Sequence, residues 1–113
     1  MDKLTILREK FGYSSFRPGQ EEVIDAILAG TDALAVMPTG AGKSLCYQIP
    51  ALMLDGMTIV ISPLISLMKD QVSALKEAGC GAAFLNSSLS GSEYYDTMEE
   101  ITNGDIKLLY IAP

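Results

Sequence analysis

The chain predicts an α/β fold, a parallel sheet with helices on both faces, and three observations lead there. Short apolar runs alternate with segments of helical periodicity along most of the chain. The runs Thr58-Ile59-Val60-Ile61 and Ala82-Ala83-Phe84-Leu85 show no polar alternation, as strands covered on both faces require. Hydrophobic residues make up 49% of the 113 positions and charged residues 19%, a balance suited to a buried sheet and not to a disordered segment.

The elements follow in order. Residues 4–10 read as a short helix ending near Gly12. Pro18 opens a second helix and Gly30 closes it, with Val23, Ile24, Ile27 and Leu28 on one face. Ala33, Leu34, Ala35 and Val36 form an apolar run expected to be a strand. A helix runs from Lys43 toward Leu54, with Pro50 placed to break it. Thr58 to Ile61 is the next strand. Residues 64–78 read as a helix stopped by Gly79. Ala82 to Leu85 is a short strand, and Ser90 or Ser92 caps a helix through about Thr102. Residues 106–111 form a final apolar strand. The order is helix, helix, strand–helix three times, then a strand, without repeat, low-complexity tract or linker.

A length of 113 residues holds one domain or part of a larger one. No apolar run approaches the roughly 18 residues of a membrane span, so no membrane role is expected. The N-terminus lacks a signal-peptide pattern. Cys46 and Cys80 are isolated, in a chain with no histidine, which points away from metal sites and toward a reduced, cytoplasmic setting. The net charge of −6 argues against bulk electrostatic binding of nucleic acid. It leaves room for a local groove of backbone N–H groups, hydroxyls and a few lysines.

The densest chemistry lies in Met37-Pro38-Thr39-Gly40-Ala41-Gly42-Lys43-Ser44, between an apolar run and a helix. Backbone N–H groups of such a loop, together with the helix N-terminus, cradle the phosphates of a nucleotide. Gly40 and Gly42 allow close approach of the backbone. Lys43 would reach the terminal phosphates, and the Ser44 hydroxyl would hold Mg²⁺. The full P-loop pattern begins with Gly, and Met37 stands in that place. An ATPase of this kind also needs an acidic residue at the end of another strand. No apolar strand here ends in Asp or Asp-Glu. Leu54-Asp55 comes nearest, at the end of a helix, so the chain reads as incomplete for catalysis.

Further segments surround the loop. Phe11-Gly12-Tyr13-Ser14-Ser15-Phe16-Arg17-Pro18-Gly19-Gln20 lies upstream. Leu45-Cys46-Tyr47-Gln48-Ile49-Pro50 continues the loop. Ser62-Pro63-Leu64-Ile65-Ser66-Leu67-Met68-Lys69-Asp70-Gln71, Leu85-Asn86-Ser87 and Leu109-Tyr110-Ile111-Ala112-Pro113 lie downstream. Together these strings closely resemble the start of the RecQ family of superfamily 2 DNA helicases, over nearly the whole chain. Met37 in place of the leading Gly is normal for that superfamily.

The resemblance implies a P-loop NTPase, RecA-like and incomplete, with residues 1–113 as the N-terminal portion of the first, ATP-binding motor domain. It implies a nucleotide site at Tyr13, Arg17, Gln20, Thr39, Gly40, Ala41, Gly42, Lys43 and Ser44. Lys43 and Ser44 take the catalytic roles, with Mg²⁺ on Ser44. Gln20 suits adenine chemically, since its amide offers a donor and an acceptor to the N6 and N7 edge. Tyr13 can stack on the base, and Arg17 can stack or reach a phosphate. Ala41 stands where the family often has Gly. Phe11 and Phe16 read as packing residues, as do Cys46 and Tyr47.

Pro63, Ser66 and Lys69 resemble one DNA-contacting motif, and Asn86, Ser87 and Ser88 the next. The last five residues resemble the motif preceding the acidic Mg²⁺-binding one. The function so implied is an ATP-dependent, 3′ to 5′ DNA helicase of recombination and repair, in the bacterial cytoplasm or nucleoid. Its partners are ATP and single-stranded or junction DNA, and its second RecA-like lobe is missing here. The alternatives are a truncated nucleotide-binding module without motor activity and an unrelated P-loop kinase. Gln20 and the segment 63–71 argue against the kinase.

Overall fold

The computed structural model describes residues 2–37 and 42–113. These fall into two compact units, Met1–Asp55 and Gly56–Pro113.

The first unit holds three helices, α1 (Lys3–Phe11), α2 (Gln20–Leu28) and α3 (Leu45–Met53). Asp2 starts α1 by accepting the Thr5 backbone N–H at 2.8 Å, which lowers the carboxyl pKa. The core is Ile6, Leu7, Ile24 and Ile49, with Leu4, Phe11, Phe16, Leu28 and Leu45 packed around it. Phe11 and Phe16 are thus the packing residues their apolar character implies. Lys3 ties α1 to α2 through Glu21 at 2.8 Å and Asp25 at 2.6 Å. Both pairs are solvent-screened, so apolar burial carries the unit.

Two expectations change here. Pro50 does not break α3, which continues to Met53. The ring lies fully buried beside Ile49 and Ala51. Burial of this face offsets the backbone bond that proline cannot make. The apolar run from Ala33 to Val36 forms no strand, and residues 31–37 are irregular. Leu34 is 93% exposed and Val36 90% exposed. A strand exists only by ladder bonding to a neighbour, and the described elements of this unit are all helices.

The second unit is β1 (Thr58–Ile61), α4 (Ile65–Glu77), β2 (Ala82–Leu85), α5 (Gly91–Thr102) and β3 (Leu108–Ile111). All pairings are parallel, in the order β1-β3-β2. The third strand inserts between the first two, so the chain crosses the sheet once in each direction. Right-handed crossovers then place α4 and α5 on opposite faces, as expected of a doubly covered sheet. Register aligns Ile59, Leu109 and Ala83, then Ile61, Ile111 and Leu85, on one face. Ile101 of α5 packs there with Ala83, Ile106 and Leu109. Met68, Val72 and Leu75 are the buried residues of α4, and Tyr110 is fully buried in the central strand. Gly81 precedes β2 because a side chain there would strike the Asp105 carbonyl. The Gly81 carbonyl accepts the Lys107 and Leu108 N–H groups, which starts the β3 pairing.

Candidate nucleotide and nucleic-acid sites

Gln20 begins α2 and is 1% exposed. Its Oε1 accepts the Arg17 backbone N–H at 2.8 Å, and its Nε2 donates to the Gly42 carbonyl at 3.0 Å. The two partners, a donor and an acceptor, settle the amide's orientation. One side chain therefore joins the upstream element to the glycine loop, across 22 positions of sequence. The amide edge that suits adenine is engaged here with the protein's own backbone. Sequence reasoning paired Gln20 with a base and missed this second use. The buried position of a polar residue at a helix start is the signal that exposes it.

Gly42 has φ +76°, in the left-handed region, and a side chain there would meet Gln20 Nε2. Two constraints, torsion and space, thus demand glycine. Lys43 is exposed and lines a recess of about 200 Å³ with Val23, Ile27, Ala35, Cys46 and Tyr47. Ser44 is the N-cap of α3, yet its side chain makes no capping bond. Its carbonyl accepts the Gln48 N–H at 3.0 Å. The hydroxyl is a hard oxygen donor at a helix N-terminus beside a lysine, a donor set that fits a phosphate-bound Mg²⁺. Thr39, Gly40 and Ala41, named with this site, lie outside the described residues.

Tyr13 is half exposed. Arg17 lines a cleft of about 650 Å³ together with Pro18, Glu22, Val23, Ala26, Leu34 and Val36. The cleft is largely apolar, with Arg17 and Glu22 as its charged side chains, and apolar walls of this kind suit a flat heteroaromatic ring. Cys46 is buried, with Sγ 3.9 Å from Met37 Sδ, and burial raises its thiol pKa. It is packed and not poised for chemistry. Among the described residues no cluster of three or more His, Cys, Asp or Glu forms a metal cage.

In the second unit, the candidate nucleic-acid residues gather at the carboxyl ends of β1 and β2, where open α/β sheets place their ligands. Ser62 Oγ accepts the Leu64 N–H at 3.1 Å, which shapes the turn through Pro63 into α4. Ser66 and Lys69 are exposed on the first turns of α4. Asn86 Oδ1 accepts the Ser88 N–H at 2.8 Å and also the Ser88 hydroxyl, an Asx turn. Asn86 Nδ2 lies 3.5 Å from Met68 Sδ, which ties this loop to α4. The structure thus brings Pro63, Ser66 and Lys69 to the same end of the sheet as Asn86, Ser87 and Ser88. Ser90, not Ser92, caps α5. Its Oγ accepts the Glu93 N–H at 3.2 Å, and Glu93 Oε1 accepts the Ser90 N–H at 2.9 Å.

One unit thus holds a parallel α/β sheet, and the other a glycine–lysine–serine turn into a helix with a glutamine latched to that turn. The matching family model is DEAD/DEAH box helicase, over residues 17–113, and the chain belongs to that family. ATP-dependent DNA helicase RecQ of Haemophilus influenzae is 59% identical over 110 residues, covering 97% of this chain and 18% of that protein. The RecQ proteins of Pasteurella multocida and Bacillus subtilis are 57% and 54% identical over 97% and 96% of this chain. The chain spans 17% to 19% of the length of these three relatives. No helix among the described residues is long and apolar enough to cross a membrane.

Proposed function

We propose that this chain is the N-terminal part of the first RecA-like lobe of an ATP-dependent, 3′ to 5′ DNA helicase of the RecQ type. The observation that carries this reading is the Gln20 bridge. It couples a base-recognition element to a phosphate loop, in a chain 59% identical to a RecQ helicase.

In this reading the loop from Thr39 to Ser44 holds the phosphates of ATP, and Lys43 neutralises charge on the transferring group. The Ser44 hydroxyl would help hold Mg²⁺, which would supply positive charge to the phosphates. The adenine lies against Tyr13 and Arg17. Gln20 meets its N6 and N7 edge by exchanging the Arg17 and Gly42 bonds for the base, so base binding is sensed at the loop. Pro63, Ser66, Lys69 and the segment Asn86 to Ser88 hold single-stranded DNA beside a duplex junction. A second lobe supplies an arginine that stabilises the transition state, and closure around ATP moves the strand. Work on chromosomal DNA during repair and recombination places the protein in the bacterial cytoplasm or nucleoid.

Strand displacement on 3′-tailed and 5′-tailed duplexes tests this in the intact protein. The 3′-tailed substrate should be unwound preferentially. Lys43→Ala should abolish unwinding while sparing DNA affinity. Lys69→Ala should weaken DNA binding and DNA-stimulated ATPase and leave nucleotide affinity nearly unchanged. Preference for the 5′ tail, or full unwinding by Lys43→Ala, would overturn the assignment.

A further inference from the structure

A groove of about 320 Å³ in the second unit has walls of opposite charge. Lys69, Ser73 and Lys76 of α4 line one side. Glu93, Asp96, Thr97 and Glu100 of α5 line the other, and Ala83 and Phe84 of β2 form the floor. β2 is an edge strand, and the two helices cover opposite faces of the sheet. A groove touching both helices and β2 therefore runs around that edge. Both helices start at the carboxyl end of the strands and run back along the sheet. Lys69 and Glu93 thus lie near the end that carries Ser66 and the Asn86 turn, and Lys76 and Glu100 line the groove farther down.

No ion pair closes this groove among the described residues. Lys69 nevertheless helps hold the Glu93 carboxyl below its ordinary pKa, after the larger effect of the Ser90 hydrogen bonds. α5 carries four carboxylates, Glu93, Asp96, Glu99 and Glu100, no Lys or Arg, and no buried residue. Its acidic flank is turned toward the one lysine of the candidate DNA surface.

We infer that Glu93, seconded by Asp96, is a specificity-determining residue of the DNA contact: it competes with nucleic-acid phosphate for the Lys69 ammonium. This rests on the reading of Lys69 as a DNA contact. A carboxylate beside a binding lysine lowers its affinity for any single phosphate. It leaves strong binding to strands that also engage the Ser66 and Asn86 turns. Loose, non-specific phosphate contacts are disfavoured.

Glu93→Gln is a clean variant, because glutamine can also accept the Ser90 N–H and preserve the capping box. Fluorescence anisotropy with a single-stranded oligonucleotide, on the intact protein, reads the result. Glu93→Gln should tighten binding about threefold at low salt, as expected for a partly screened charge pair. The gain should shrink as salt rises. In a Lys69→Ala background it should fall to the small gain that any lost charge on α5 gives, since the competition then has no object. Glu99→Gln changes charge equally on the same helix but lies outside the groove, and it should have a smaller effect that survives Lys69→Ala. Asp96→Asn provides a second arm if a thermal melt shows the Glu93 variant to be unfolded.

Equal gains from Glu93→Gln and Glu99→Gln, or a Glu93→Gln gain undiminished without Lys69, would overturn the inference and leave the DNA reading intact. Unchanged affinity in Lys69→Ala alone would remove the DNA reading of Lys69 itself, and the inference with it.

Discussion

A single amide decides much at the scale of residues. Gln20 is buried with both ends of its side chain bonded, to Arg17 N–H and to the Gly42 carbonyl. Gln20→Ala leaves those two backbone groups to find new partners, at a cost of about 1–3 kcal/mol if they stay dry. Gln20→Glu keeps the acceptor for Arg17 and loses the donor to Gly42. The thermal midpoint should fall for both variants. ATP affinity should fall with it, because the loop loses its brace as well as its proposed base reader. Gly42→Ala attacks the same contact from the other side, combining a strained torsion with a clash against Nε2. It should weaken ATP binding at least as much as Gln20→Ala. Isothermal titration with ATP and GTP separates the two uses of Gln20. A variant that weakens both nucleotides equally has lost only the brace, and one that loses the preference for ATP has lost base recognition. In the sequence, the adenine role comes from the family resemblance, and the match of an amide to adenine's edge only suits it. The brace was illegible there, since it depends on a loop 22 positions away returning to the start of α2.

The elements differ in how they are anchored, and α5 depends most on local signals. It has no buried residue, so its position rests on half-buried Ile101, Thr97 and its cap. Ser90→Ala removes the acceptor for the Glu93 N–H and should cost about 1 kcal/mol at neutral pH. The reciprocal Glu93 bond adds a pH signature. Its carboxyl is held below the ordinary glutamate range, so the stabilisation is fully present above that range. It is lost as pH falls through the lowered value. Protection of the α5 amides against hydrogen exchange, relative to their intrinsic rates, should therefore fall as pH drops below the glutamate range, before that of the rest of the unit does. In Ser90→Ala the helix should already exchange fast at neutral pH, and a flat acid response in the parent chain would discount the box. Such elements were legible because their determinants are local: β1 and β2 are four-residue apolar runs with turns on either side, and Ser90 precedes Glu93 by three. The end of α3 was not, because Pro50 is tolerated by the burial of its ring, a tertiary effect. The strand expected over residues 33–36 failed for the complementary reason. Apolar side chains and β propensity do not make a strand without a partner edge.

Across the whole molecule, apolar surface remains uncovered in each unit taken separately. In the first, Leu34 and Val36 stand 93% and 90% exposed beside the 650 Å³ cleft. In the second, Ile59 and Ile61 of β1 are 53% and 66% exposed on the sheet face whose β2 side is covered by α5. Leu64 and Leu67 add to this near the start of α4. Each isolated leucine on a surface is unremarkable, but runs in an irregular segment and along an edge strand favour association between copies. The net charge of −6 opposes this association through long-range repulsion, and salt weakens that opposition. The 113-residue chain should therefore sediment as concentration-dependent oligomers, more so at 0.5 M salt than at about 0.05 M, where repulsion is less screened. Leu34→Lys with Val36→Lys should shift the distribution toward monomer without lowering helix content, because neither side chain is packed. Ile59→Lys acts on the other unit and reports which of the two surfaces dominates. A stable monomer at both salt concentrations, with a single sharp melt, would mean that these surfaces are satisfied within one chain.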